Sequence, residues 1–336
     1  MINTGFVFSQ RQIGFIPSNA LVVNVRDSVT LWAGTSSMII DYIYIVMSKH
    51  ILMLAPTITA MNSEHLSRVN LGTGNVLFQV ATTYGLSKTY SRTPDFSYLQ
   101  KYCDKIRSLF HYDHGDTLYR NCRAAPPTKY SYLVGENARE KTYSFSAIQN
   151  IVSNPGVNIL LEGYFEYPPY FNEYREDILA MFAPDAKSQL SIDTMYPELK
   201  TENVIAVHIR TGKDANVRST MEYYKRAISY MNERVSDPIY FVFSDGPVDI
   251  DNLGVRVRYI RGNFDYIDLW TMSQCKHNII TYSTFSWWGA YLNRSPEKIV
   301  TYPSSAMVYI RAQNGESEST LHTNYFLSAV QIVDTD

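Results

Sequence analysis

Residues 204 to 214 read Val-Ile-Ala-Val-His208-Ile-Arg210-Thr211-Gly212-Lys213-Asp214, an apolar run that ends in an imidazole, a guanidinium, an amine and a carboxylate. Alternate side chains of a strand share a face, so His208 and Arg210 point the same way at its carboxyl end. A guanidinium there, always charged and carrying five donors in a fixed fork, suits a diphosphate gripped through two parallel bonds. A lone buried His is more often a satisfied core residue and a strand-end Arg often merely exposed; the pair in this setting makes the donor-site reading as good as the structural one. A second cluster, Ser283-Thr284-Phe285-Ser286-Trp287-Trp288-Gly289-Ala290, puts hydroxyls and the first free amides of a helix at a strand-to-helix junction, a ready anion site. Its two tryptophans read as core, and Gly289 and Ala290 as small residues that let the helix lie close to the sheet. A third cluster, Leu71-Gly72-Thr73-Gly74-Asn75, opens a predicted helix over 76–88. Two readings stay open for it: a tight turn, or a turn whose glycines let a backbone or a ligand approach closely and present amides at a helix N-terminus.

Two further groups imitate metal sites. Asp249-Ile250-Asp251 has the D-x-D form that holds a metal against a nucleotide diphosphate, but such a triplet arises easily in an acidic loop. His111-Tyr-Asp113-His114-Gly-Asp116 offers ligand types at a spacing that matches no closed tetrahedral pattern. Both are read as solvated loops, and no metal or organic cofactor is expected.

The elements that must position these groups follow from the second half of the chain. Apolar, β-branched runs at 204–209, 239–243, 255–260, 277–281 and 298–302 alternate with segments of helical period at 265–275 and 285–293. Thr220 can cap a helix whose Met221, Tyr224, Ile228 and Met231 share one face. Alternating strands and helices imply a parallel sheet covered on both faces, a Rossmann-like domain over about 201–305 with ligands beyond the carboxyl ends of its strands. Pro126-Pro127 and Pro168-Pro169 mark loops in the first half. The apolar stretch 38–61 is long enough to cross a bilayer at about 20 residues per span, yet Asp41, Lys49 and His50 interrupt it. A membrane anchor and a hydrophobic segment packed on the globular body fit it equally.

The 336 residues carry 30 Lys+Arg against 32 Asp+Glu, so nucleic-acid binding, which needs a clustered cationic surplus, is not expected. A hydrophobic fraction of 45% excludes a disordered chain. Cys103, Cys122 and Cys275 allow one disulfide at most and leave the redox compartment open. Asn293-Arg294-Ser295 is the single glycosylation triplet, and Pro296 behind it makes it a poor acceptor.

Together the clusters resemble glycosyltransferase family 11, the α-1,2-fucosyltransferases that use GDP-fucose. Leu71 to Gln79 is similar to that family's G-G-L-G-N-Q-M-F-Q, Leu161 to Phe171 to its L-x-G-Y-F-Q-x-x-x-Y-F, and His208 to Asp214 to its H-x-R-R-G-D. Tyr240 to Asp245 resembles F-V-F-S-D, and Asp268 to Asn293 the long D-L-x-L-M-S-x-C-x-H-x-I-I-x-N-S-S-F-S-W-W-G-A-W-L. The resemblance covers about 69–303, in the family's order. It implies a GT-B fold of α/β class, two Rossmann-like domains facing a cleft: acceptor-side 66–200 and GDP-fucose-binding 201–305, flanked by an extension at 1–65 holding the candidate membrane segment and a tail at 306–336.

The resemblance also implies an inverting, metal-independent transfer of L-fucose from GDP-fucose to the 2-hydroxyl of a terminal galactose on a glycan. His208, Arg210, Asp245 and Ser283, Thr284, Phe285 and Ser286 would hold the donor, with Arg210 acting in catalysis. Gly72, Gly74, Asn75 and Glu166 would form the acceptor-side loop, with Asp214 as base and Glu166 in reserve. It further implies a Golgi type II membrane protein, with a cytoplasmic location as the alternative. Thr211 stands where the family has a second Arg, Lys213 where Asp is usual, and Gly246 for the second acid of S-D-D. These departures motivate a rival function, a non-catalytic sugar or sugar-nucleotide binding protein, and a third, transfer from another GDP-sugar. The acceptor's identity would rest on loops at 95–160.

Overall fold

A computed structural model describes residues 5–7, 30–32, 57–61, 72–95, 132–135, 149–150, 152–153, 159–162, 165–211, 219–306 and 329–332. Two parallel sheets dominate it. The first has four strands, β3 (Thr57–Met61), β4 (Thr93–Asp95), β5 (Tyr132–Gly135) and β6 (Ile159–Glu162), in the order β4-β3-β6-β5. A separate antiparallel pair joins β1 (Gly5–Val7) to β2 (Thr30–Trp32). The second sheet has six strands: β7 (Asn203–Ile209), β8 (Pro238–Ser244), β9 (Arg256–Ile260), β10 (His277–Ile279), β11 (Val300–Pro303) and β12 (Val330–Ile332), all parallel, in the order β12-β11-β10-β7-β8-β9.

That order sets the place of a site. The chain runs outward from β7 through β8 to β9, then crosses back to the other side of β7 to lay down β10. The reversal between β7 and β10 is a topological switch point, where the loops leaving the two strands diverge and open a crevice at their carboxyl ends. His208 to Thr211 leave β7 there, and Thr281 to Ser283 leave β10.

Helices cover the second sheet because its strands alternate between two apolar faces. Val204, Ala206 and His208 point to one side and Ile205, Val207 and Ile209 to the other, all buried. The second face lies under α5 (Met221–Asn232), whose Thr220 caps it by accepting from the Tyr223 amide at 3.2 Å. Tyr223, Tyr224, Ala227, Ile228 and Met231 form its buried stripe, whereas Met221, expected on that face, is exposed. At 100° per residue, Met221 falls at the edge of the arc centred on Ala227 and Met231, in a first turn that overhangs the sheet.

The first face is shared. α1 (Thr73–Thr89), α6 (Asp265–Gln274) and α7 (Thr284–Leu292) pack there with the short α2 (Arg175–Met181), in one apolar cluster that runs from Phe78 of the first half to Trp288 of the second. Phe78 meets Trp287 at 4.6 Å between ring centroids, Phe171 stacks on Trp288 at 5.6 Å and 17°, and Trp287 on Tyr291 at 4.8 Å. Each such ring removes 150–250 Å² of apolar surface from water. The two tryptophans are therefore core, as their spacing suggested. The small Gly289 serves a different neighbour from the one expected: a Cβ there would lie 2.9 Å from the Cβ of Met272, so the close approach is between α6 and α7 rather than to the sheet.

Two segments fall outside the expected plan. Thr57–Met61, the end of the apolar stretch, is a strand in the first sheet and not part of a membrane-crossing helix; Ile58, Thr59, Ala60 and Met61 pair with β6. An interior strand of a parallel sheet reads as the same unbroken apolar run as a span. Among the described residues no helix is long and apolar enough to cross a membrane, and 38–56 lie outside them. Val330–Ile332, beyond the expected domain end at 305, is an edge strand beside β11.

Candidate functional site

His208 is 5% exposed at the end of β7, with its ring centroid 5.7 Å from that of Phe285 in the first turn of α7. Its Nδ1 is buried without a hydrogen-bond partner among the described residues. The backbone carbonyl of the same residue accepts from the Tyr224 hydroxyl at 3.1 Å, which ties the strand end to α5. Burial drives the imidazole pKa down to about 4, with Arg210 adding to the fall and Asp245 opposing it, so the ring is neutral at neutral pH.

Arg210 follows on the surface, its Nη1 3.5 Å from Asp245 Oδ2. Asp245 is held more tightly by Thr211, whose amide donates to Oδ1 at 2.6 Å and whose hydroxyl donates at 2.9 Å. Burial alone would raise the Asp245 carboxyl; the two Thr211 bonds and the Arg210 charge outweigh it and hold it below the ordinary carboxylate range. The Arg210 contact is solvent-exposed, and such pairs stabilise by about 0–1 kcal/mol. Its guanidinium can exchange Asp245 for a phosphate at little cost.

Thr211 and Gly246 fit together. A Cβ at Gly246 would lie 2.2 Å from the Thr211 Oγ1, the same oxygen that binds Asp245. A side chain at 246 would therefore displace the hydroxyl half of the clamp on Asp245 and leave the Thr211 amide bond.

Across the switch point, Ser283 stands at the N-cap of α7 without a side-chain capping bond. The Ser286 hydroxyl turns back instead, donating to the carbonyls of Thr281 at 3.3 Å and Ser283 at 3.2 Å. Among the described residues the first amides of this nine-residue helix thus have no acceptor, at the end where the helix dipole is positive. At its other end Lys298 Nζ donates to the carbonyls of Ala290 and Asn293, each at 2.7 Å, and Arg175 Nη2 to that of Tyr291 at 2.9 Å. Cations at the C-terminus fix the helix axis and complement its dipole.

The acceptor-side loop meets this helix. Thr284 Oγ1 donates to Asn75 Oδ1 at 2.6 Å. A Cβ at Gly74 would lie 2.5 Å from the Thr284 carbonyl carbon and 2.6 Å from the Phe285 amide nitrogen. α1 also begins without a side-chain cap, at Gly72. One residue along, the Thr73 hydroxyl donates to Asp265 at the start of α6. Three helix N-termini, from both halves of the chain, are therefore linked, α6 to α1 through Thr73 and α1 to α7 through Gly74 and Asn75, with α7 against His208. Of the two readings open for Gly72-Thr-Gly-Asn, the close approach holds, and what approaches is the backbone of α7.

Of the expected residues, the structure brings His208, Arg210 and Asp245 together, and joins Gly74 and Asn75 to Thr284 and Phe285. Glu166, half-buried, lies in the segment 165–167, where Phe165 accepts from the Thr82 hydroxyl at 3.4 Å on the flank of α1. Asp214 lies outside the described residues, as do Gly212, Lys213 and the 111–116 group. Asp249 and Asp251 serve their own loop: Asp249 Oδ1 accepts from the Asp251 amide and Asp251 Oδ1 from the Tyr259 hydroxyl, each at 2.9 Å. Among the described residues no three His, Cys, Asp or Glu side chains are grouped to hold a metal.

Sequence reasoning missed Thr73, Asp265 and Asp268. Burial raises the Asp268 carboxyl to about 6, helped by Asp265 and opposed by the Asn263 amide that donates to it at 2.9 Å. The acidic pair at the first turn of α6 was a visible signal for them.

Known proteins place these features in a lineage. The chain is 32% identical over 157 residues to an Escherichia coli alpha-1,2-colitosyltransferase, covering 42% of this chain and 54% of that one. It is 32% identical over 161 residues to the Escherichia coli O-antigen biosynthesis glycosyltransferase WbnK, covering 43% and 53%. Identity to a putative Caenorhabditis elegans galactoside 2-alpha-L-fucosyltransferase, svh-11, is 25% over 249 residues, 66% of each chain. The chain spans about half the length of the two bacterial relatives. Among solved structures, the Bradyrhizobium fucosyltransferase NodZ superposes with a TM-score of 0.48 at 12% identity, over 70% of this chain and 91% of that one. The profile of Glycosyl transferase family 11 matches residues 137–310, a span that takes in β7, the Asp245 turn and α7 and amounts to more than half of the chain. By that match the chain belongs to glycosyl transferase family 11.

Proposed function

We propose that the protein transfers L-fucose from GDP-fucose to the 2-hydroxyl of a terminal galactose on a glycan, with inversion and without a metal, in a GT-B arrangement of its two parallel sheets. The observation that carries this reading is the buried, neutral His208, its Nδ1 unpartnered among the described residues, set against Phe285 at the uncapped start of α7, with Arg210 beside it. That group of donors suits a diphosphate, and the family supplies the fucosyl chemistry.

On this reading Arg210 and the first amides of α7 take up the charge that grows on GDP as the bond to fucose lengthens. The acceptor hydroxyl attacks the anomeric carbon from the opposite face, and its proton passes to a carboxylate, Asp214 or in reserve Glu166. His208, neutral, offers one ring N–H to the donor. Asp245 bonds the ribose or the base while Thr211 keeps it in place. Donor stabilisation by fixed dipoles needs no reorganisation at the moment of reaction, which is why it can stand in for a metal ion.

Incubation of the purified protein with GDP-fucose and a galactoside array, followed by linkage mapping, tests the proposal; an α-1,2 product that persists in a chelator is expected. Activity lost in chelator and restored by Mn²⁺ would overturn the metal-free step. GDP-fucose binding without transfer to any galactoside would favour a binding protein instead. The colitosyltransferase relative favours one further reading, transfer of a different GDP-linked sugar, and direct comparison of donor turnover separates the two. A Golgi type II placement depends on residues 38–56; recovery of the full-length chain in the soluble fraction would refute it.

A further inference from the structure

Phe264 breaks two rules of stability at once. It is the N-cap of α6, where Ser, Thr, Asp or Asn would bond the free amides, and it makes no such bond. It is also 70% exposed, the most exposed large hydrophobic side chain among the described residues. Local rules fail together at functional sites more often than elsewhere.

The ring is firmly backed. Phe264 stacks on Tyr266 at 5.4 Å between centroids and 6° between planes, and Tyr266 meets the buried Trp270 at 5.4 Å. The turn beneath it is pinned by Asn263, which donates to the Tyr196 hydroxyl at 2.6 Å and to Asp268 at 2.9 Å. A column of three rings thus rises from the core and presents one flat aromatic face at the surface.

Its place in the sheet says what that face meets. β7, β8 and β9 are adjacent and in register, with Ile209 opposite Ser244 and Phe243 opposite Ile260. Neighbouring strands lie about 4.8 Å apart. On the donor-site reading, a diphosphate held at the end of β7 would carry its nucleoside past the Asp245 turn, after β8, and bring its base, two strand spacings away, to the turn after β9, which ends in Phe264. We propose that Phe264 is the stacking platform for the purine base of the nucleoside diphosphate, an assignment that rests on the donor-site reading above.

The test uses the full chain and calorimetric titration with GDP and with inorganic pyrophosphate. Phe264→Ala should weaken GDP by about tenfold or more, the size of one base–aromatic stack, and leave pyrophosphate binding unchanged; Phe264→Trp should retain GDP affinity, with its indole fluorescence quenched by GDP. Phe264→Asn separates binding from folding: as a proper N-cap it should raise the melting temperature by about 2 °C while GDP binding falls as in the alanine variant. Wild-type GDP affinity in a folded Phe264→Ala protein would overturn the platform alone, as would unchanged GDP binding with a raised KM for the galactoside. Failure of the wild type to bind GDP at all would remove the donor reading and the platform with it.

Discussion

Gly74→Ala is the sharpest test of how the two halves of the chain meet. The added Cβ would fall 2.5 Å from the carbonyl carbon of Thr284 and 2.6 Å from the Phe285 nitrogen. Non-bonded carbon atoms rest at about 3.5 Å or more, so α1 and α7 must part by about 1 Å. The obstacle is backbone inside a helix, which cannot rotate away. Overpacking of this kind costs about 1–3 kcal/mol, or a fall of roughly 2–4 °C in melting temperature for each kcal/mol. Turnover should fall further than stability suggests. A displacement of about 1 Å at groups that position a substrate costs on the order of 10²-fold, and the amides of α7 are such groups in the proposed mechanism. Gly72→Ala is the matched control, because among the described residues nothing lies within 4 Å of a Cβ there; as the N-cap of α1 it should cost no more than about 1 kcal/mol and leave α7 in place. The assays are thermal unfolding and steady-state fucosyl transfer on both variants. Wild-type melting and turnover in Gly74→Ala would show that the helix starts are not in contact, and the convergence of N-termini would be wrong.

Arg210→Ala should lower turnover by about 10²–10³, the size of a lost charged donor worth roughly 3–4 kcal/mol, with Arg210→Lys recovering little because a point charge cannot copy a planar fork. Circular dichroism should show both folded, and near-normal turnover would place the diphosphate elsewhere. His208 predicts an acid limit to stability. Its folded pKa of about 4 lies below the ordinary 6.5, so the unfolded chain binds its proton more readily; the contribution is whole above pH 6.5 and is lost as pH falls towards 4, about 3 kcal/mol in all. Urea unfolding between pH 4.5 and 7 should show that slope in the wild type and a shallower one in His208→Asn; equal slopes would refute it. Asn293 is 1% exposed and its Nδ2 donates to the Cys275 carbonyl at 2.7 Å and to Asn278 Oδ1 at 2.8 Å. Mass spectrometry of protein from a glycosylating host should find it bare, and Asn293→Ala should cost about 1–3 kcal/mol for the acceptors left buried and unpaired.

The second sheet was legible because its strands are apolar, β-branched runs spaced by helices, a pattern carried locally. β7, β8 and α7 fall within one or two residues of where periodicity sets them. β3 was obscured by that same chemistry, since an interior strand of a parallel sheet and a membrane span share a composition, and the three residues of β12 are too few to show a period. At the site, His208, Arg210 and the Ser283 turn are legible from spacing within a few residues. The bonds that assemble them are not. Asn75 and Thr284 are 209 positions apart, and Thr73 and Asp265 are 192. Nothing local to either partner marks such a pair, and the exposure of Phe264 is likewise a property of the fold rather than of any pattern.

Thr211 and Gly246 show how a substitution can look like decay when each position is read alone. One replaces an arginine of the family pattern and the other an acid, and separately each removes a charge from a donor site. In the structure they are coupled: the Thr211 hydroxyl occupies the space a side chain at 246 would need, and from there it fixes Asp245 beside Arg210. A site drifting free of selection has no reason to keep that fit, which favours a working donor site over a degenerate one. Coupling of this kind is measurable. Gly246→Ala should cost Asp245 its Thr211 hydroxyl bond and weaken GDP binding, while in a Thr211→Ala background, where the nearest remaining atom is a Cβ at 3.2 Å, the same change should cost much less. A double-mutant cycle in GDP affinity should give an interaction energy of about 0.5–3 kcal/mol, the range for residues in contact. Additive effects would mean that the two departures arose independently, and the case for a retained donor site would lose its support from them.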